Sequence, residues 1–212
     1  MWIQSIATSL LVSTFLLFLT RRITTAVKIL SLQSFILTIS VGIVWQITGI
    51  SHFLIAAILT LIIKAVIIPT ILYVTIIKID VKREVEGLIN PYTSLIAAIM
   101  LSLFAFYLTI HLNLPHSDFG KPYLPVSLSM IFLGAFIMIV HKKALLQGIG
   151  LIVMENGLFL IAMSLGFGMP IFIEMGIFFD LLVTVVIIGM FSYRIHSTFE
   201  SLNTENLQNL KG

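Results

Sequence analysis

Apolar runs of about 20 residues, parted by short polar or charged stretches, make up nearly the whole chain. They fall at about Trp2 to Thr20, Ile29 to Ile47, Phe53 to Ile77, Pro91 to Ile110, Tyr123 to Val140, Gly148 to Leu165 and Pro170 to Tyr193. As a helix, each run is of the length needed to cross a hydrocarbon layer about 30 Å thick. None shows the short alternating pattern of a barrel strand. A helix also satisfies its backbone groups within the segment, which lipid demands. The pattern therefore predicts an all-α, polytopic membrane bundle of about seven transmembrane helices. The first run lacks the basic start and small-residue cleavage site of a signal peptide, and it is read as a retained helix.

The breaks between runs set the order of the chain. Gly49 closes the second run, and a very short turn leads to His52. The most charged loop, Lys78 to Asn90, holds Asp80, Lys82, Arg83, Glu84 and Glu86. The loop from His111 to Lys121 carries Pro115 and Gly120 as turn signals, followed by Pro122. Basic residues sort by side. Arg21, Arg22, Lys28, Lys78, Lys82, Arg83, Lys142, Lys143, Arg194 and Lys211 fall on one side, and Lys121 on the other. The positive-inside rule then puts the N-terminus outside and the C-terminus in the cytoplasm. Three parts are expected: an N-terminal four-helix part over 1–121, a three-helix part over 122–195 and a cytoplasmic tail over 196–212.

Composition agrees. The chain is 59% hydrophobic and 10% charged, where soluble domains carry about a quarter charged residues. Its net charge of +3 comes from residues at membrane edges and gives no support to nucleic-acid binding. With no cysteine, disulfides and cysteine-ligated clusters are excluded. His52, His111, His141 and His196 fall at span ends and His116 in a loop, which does not suit paired haem ligation inside a bundle. No phosphate loop, nucleophile triad or metal spacing is visible, so neither cofactor nor metal is expected.

The chemistry lies in ionisable residues at membrane depth. An acidic residue at a helix centre costs roughly +2.5 to +3.5 kcal/mol on insertion scales. Such residues face a bundle interior, find partners and mark ion or proton paths. Glu155 sits near the middle of its run, followed by Asn156 and Gly157. The asparagine offers the carboxyl a hydrogen-bonding neighbour, and the glycine lets another backbone come close. Lys64 lies near the centre of the third run, with Pro69 beyond it. Proline removes a backbone donor and leaves a carbonyl about one turn earlier without its bond. Lys64 thus needs an acid, that carbonyl or water. Three readings stand: a structural ion pair, a relay lysine, or a side chain that snorkels to the surface. In the seventh run, Asp180 lies deep with Thr184 one turn later, and Glu174 lies near the non-cytoplasmic edge.

The segment KKALLQGIGLIVMENGLFL from Lys142 resembles the hydrogenase-4 component E family. So do KAVIIP from Lys64 to Pro69, EMGIFFD from Glu174 to Asp180, and the ending LNTENLQNLKG. That family supplies membrane subunits of group 4 [NiFe] hydrogenase and formate hydrogenlyase complexes. The last three runs also look like the small K-type membrane subunit of respiratory complex I, a fold shared with multisubunit cation/proton antiporters. The K-type pattern has its glutamate where this chain has Ile152, three residues before Glu155. The resemblance implies a cofactor-free, multi-pass subunit in the cytoplasmic membrane. Its partners would be antiporter-like membrane subunits and peripheral hydrogenase subunits, where the redox chemistry occurs. Glu155 and Asp180 would be the protonatable groups, with Glu174 beside the path and Lys64 tuning or coupling them. A purely structural anchor and a subunit of a cation/proton antiporter are the alternatives.

Overall fold

A computed structural model describes residues 2–78, 88–111 and 121–165. The predicted seventh span, with Glu174, Asp180 and Thr184, lies outside the described residues, as do 79–87, most of the charged loop, and the tail. Among the described residues every element is helical. In chain order they are α1 (Trp2–Leu19), α2 (Ile23–Thr48), α3 (Ser51–Leu59), a π-helical segment (Thr60–Ile67), α4 (Ile68–Lys78), α5 (Pro91–His111), α6 (Tyr123–Val140) and α7 (Ala144–Leu165). The segment from Ser51 to Ile77 forms a single span, so among the described residues six helices are long and apolar enough to cross a membrane.

Two boundaries differ from the sequence pattern. Helix α2 begins at Ile23 rather than near Ile29, so Lys28 is inside the helix and not in the loop. Hydropathy marks where a helix enters lipid, whereas the backbone turns wherever φ and ψ allow. Arg22 stays extended, at φ −116° and ψ 128°, and the helix starts directly after it. Lys28 is exposed and can reach the headgroup level along its aliphatic stem. Helix α7 likewise begins at Ala144, ahead of Gly148. At the other end of α2, Gly49 takes the left-handed conformation (φ 69°) that glycine adopts without a Cβ penalty, and its N–H bonds the Trp45 carbonyl at 2.8 Å.

The third span contains the expected effect of proline. Pro69 has no N–H for the carbonyl of Ala65, four residues earlier. The Ser31 hydroxyl of α2 donates to that carbonyl instead, at 2.9 Å. Just before Pro69 the helix widens into the π form, with the Ile68 N–H bonding the Ile63 carbonyl. Short π stretches are rare and are frequent at functional sites.

Side chains pack into two apolar clusters. One includes Phe18, Ile23, Leu30, Leu72, Leu133, Leu145 and Val153. The other includes Ala7, Leu37, Val41, Phe53, Tyr123, Met130 and Met163. Both draw on the N-terminal helices and on α6 or α7. Buried Thr14, Gln33, Lys64, Glu155 and Asn156 fall between them along their helices, so a polar layer separates two oily ones.

Helices α6 and α7 meet almost backbone to backbone. A Cβ placed on Gly134 would lie 2.5 Å from the Met154 nitrogen and 2.6 Å from the Gly150 carbonyl oxygen. At Gly157 it would lie 2.7 Å from the Ser127 carbonyl oxygen. Small residues at such contacts are how membrane helices approach closely, and this is the approach expected of Gly157.

Candidate functional site

At a rise of 1.5 Å per residue, Glu155 lies about 15 Å from either end of α7, close to the middle of the layer. Lys64 is about 20 Å from either end of its span. The fold brings these two together. The Lys64 Nζ stands 2.6 Å from Glu155 Oε1, with Lys64 fully buried and Glu155 only 2% exposed. The snorkelling reading of Lys64 therefore falls. Its ammonium also lies 5.5 Å from the centre of the Phe159 ring, one turn along α7 from Glu155. A desolvated cation over an aromatic face gains about 2 kcal/mol.

The widened helix carries Lys64 on the buried side, and α7 presents Glu155, Asn156 and Phe159 to it. The Lys64 Nζ donates to Asn156 Oδ1 at 3.0 Å. The Asn156 amide then donates to Gln33 Oε1 at 3.2 Å. Gln33 Nε2 donates to the Thr14 hydroxyl oxygen at 2.8 Å. Thr14 in turn donates to the Leu10 carbonyl, at 3.0 Å. One connected chain thus runs from Glu155 on α7 through the third span and α2 to α1. Asn156 differs here from the expectation. It serves Lys64 and Gln33 rather than acting as hydrogen-bonding neighbour to the carboxyl beside it.

An isolated buried charge is prohibitive, and an ion pair offsets this only with good geometry and further hydrogen bonds. Lys64 has both. The arrangement is a charge pair buried in the middle of the bundle and tied to two further helices by hydrogen bonds. Among the described residues, no group of three His, Asp or Glu gathers as a metal site. His52 and His111 lie within the first and last turns of α3 and α5, and His141 directly follows α6.

Gln33 interrupts the apolar run from Ile29 to Ile47, and that polarity alone gives it no role. Thr14 and Phe159 gave no signal. Threonines on membrane helices commonly bond their own helix, as Thr8 does on α1.

No protein-family model and no solved structure matches the chain. An uncharacterized protein of Mycobacterium tuberculosis is 26% identical over 130 residues, which is 61% of this chain and 59% of that protein's length. Hydrogenase-4 component E of Escherichia coli is 27% identical over 149 residues, covering 70% of this chain and 69% of that protein. The protein of the same name in Shigella flexneri matches to the same extent. The chain is therefore a polytopic helical protein similar to hydrogenase-4 component E, and these relatives support the family that its residues suggested.

Proposed function

We propose that the chain is a membrane subunit of a hydrogenase-4-type complex and carries part of its buried proton path. The single observation behind this reading is the Lys64–Glu155 pair, 2.6 Å apart in the middle of the bundle. Evolution has no need of a charged pair merely to fill that space, because well-packed apolar residues of the same volume are often as stabilising or more so. Intramembrane ionisable groups mark ion and proton pathways. Asp180 and Glu174 would continue the path on the seventh span, within the three-helix part 122–195. Peripheral subunits would perform the redox chemistry, and antiporter-like subunits would flank this one in the cytoplasmic membrane.

The deciding experiment is Glu155→Gln in the assembled complex. The expected result is normal complex yield with loss of substrate-linked proton translocation. Normal translocation at normal yield removes the relay role.

A structural anchor is the second reading, favoured by one feature: the polar layer ties α7 to the third span, α2 and α1 at once. It predicts that Glu155→Gln lowers the yield of complex and leaves turnover per complex unchanged.

A further inference from the structure

The hydrogen bonds that leave Lys64 all point one way. Lys64 donates to Asn156, Asn156 to Gln33, Gln33 to Thr14, and Thr14 to the Leu10 carbonyl. One end is an ammonium, which can only donate, and the other is a carbonyl, which can only accept. Both ends demand the same orientation of the two carboxamides between them. All four side chains are fully buried, so water does not compete for these bonds.

We infer that Asn156, Gln33 and Thr14 form a positioning arm that holds Lys64 in place while Glu155 alone exchanges its proton. Two chemical facts carry this. Carboxamides neither take up nor release protons under working conditions, so the arm does not extend a proton path toward α1. And when the Glu155 carboxylate takes up a proton, its Coulombic attraction for Lys64 disappears. The Asn156 carbonyl, 3.0 Å from Nζ, then keeps the ammonium in the same place. Asn156 and Glu155 are adjacent on α7, so the exchanging group and the end of the arm share one backbone. In each cycle one proton enters and leaves the carboxyl, and Lys64 keeps its own three. Gln33 and Thr14 are thus positioning residues, acting on Glu155 through Lys64 without touching it.

The inference rests on the proton-path reading, and its test is separable from that reading. The full-length chain in lipid nanodiscs is titrated by infrared spectroscopy, and the Glu155 carboxyl band is assigned by its loss in Glu155→Gln. Gln33→Met, of similar length without polar atoms, is expected to move the midpoint of that band by about one pH unit, a tenfold change in the proton equilibrium. Thr14→Val is expected to move it less, and Thr14→Ser, which keeps the hydroxyl, to leave it as in the unaltered chain. A packing role for Gln33 and Thr14 would leave the band where it was. If Gln33→Met does not fold, the Val–Ser comparison at position 14 decides alone. An unmoved midpoint in every folded variant overturns the arm, as does a carboxyl with no titration step. Normal translocation by Glu155→Gln in the complex would sink the proton path, yet a shifted band would remain.

Discussion

Helix α7 is held on two sides by opposite means. Toward α6 it offers Gly150 and Gly157, and the two backbones close to near contact there. Toward the third span and α2 it offers Glu155 and Asn156, and the contact is an ion pair continued by hydrogen bonds. The first contact is sensitive to volume and indifferent to charge. The second is sensitive to charge and orientation. The second takes up the buried Glu155 and Asn156 at the middle of α7, which is where the proposed proton chemistry would lie.

The largest expected effect is on the charged side. Lys64→Met leaves the buried Glu155 carboxyl without its cation, and breaking a buried pair by removing one partner costs about 3–5 kcal/mol. The double variant Lys64→Met with Glu155→Leu replaces both charges by apolar groups and is expected to recover most of that loss. Thermal unfolding of the detergent-solubilised chain, followed by helical circular dichroism, measures both. If the double variant is no better than the single one, the two residues do not act as a pair.

The glycine side comes next. Gly134→Val places a branched side chain where the Met154 nitrogen is already 2.5 Å from the position of a Cβ. The obstacle is backbone, which cannot rotate away, so about 1–3 kcal/mol of overpacking strain is expected. The same unfolding measurement reads it. In a variant that still folds, the Glu155 carboxyl band should be unchanged, because volume and not charge was altered. A shifted band would mean that the two sides of α7 are coupled and would collapse the contrast between them.

Much of this site was legible in the sequence, for an energetic reason. A charge in an apolar run is costly enough to need an explanation, so Lys64 and Glu155 stood out, while the choice of partner for each stayed open. Pro69 foretold a carbonyl needing a new donor, and Gly157 a close approach. What stayed hidden was partnership over long separations. Gln33 and Asn156 are 123 residues apart, and nothing in either span's pattern joins them. Thr14 was invisible because a hydroxyl can bond its own helix and still accept from another, and only the second bond matters here. The start of α2 was missed because Arg22 and Lys28 mark the lipid boundary, whereas the helix begins where the chain leaves its extended turn.

The smallest effect lies at the turn joining α6 to α7, where the glycine side ends and solvent begins. His141 directly follows α6 and is half-buried, and its Nδ1 donates to the Ile137 carbonyl at 2.8 Å. Burial pushes its imidazole below the usual value of 6.5, and the bond to Ile137 only partly opposes this. The folded chain therefore disfavours the charged ring relative to the unfolded chain. In the interval between the lowered value and 6.5 the unfolded state binds more protons, so stability rises with pH there. The contribution is complete above pH 6.5 and is lost as acid carries the pH down toward the lowered value. Unfolding of the unaltered chain and of His141→Gln across this interval should show an acid-side decline in the first that is smaller in the second. An equal decline in both would take the acid sensitivity away from His141 and the α6–α7 turn.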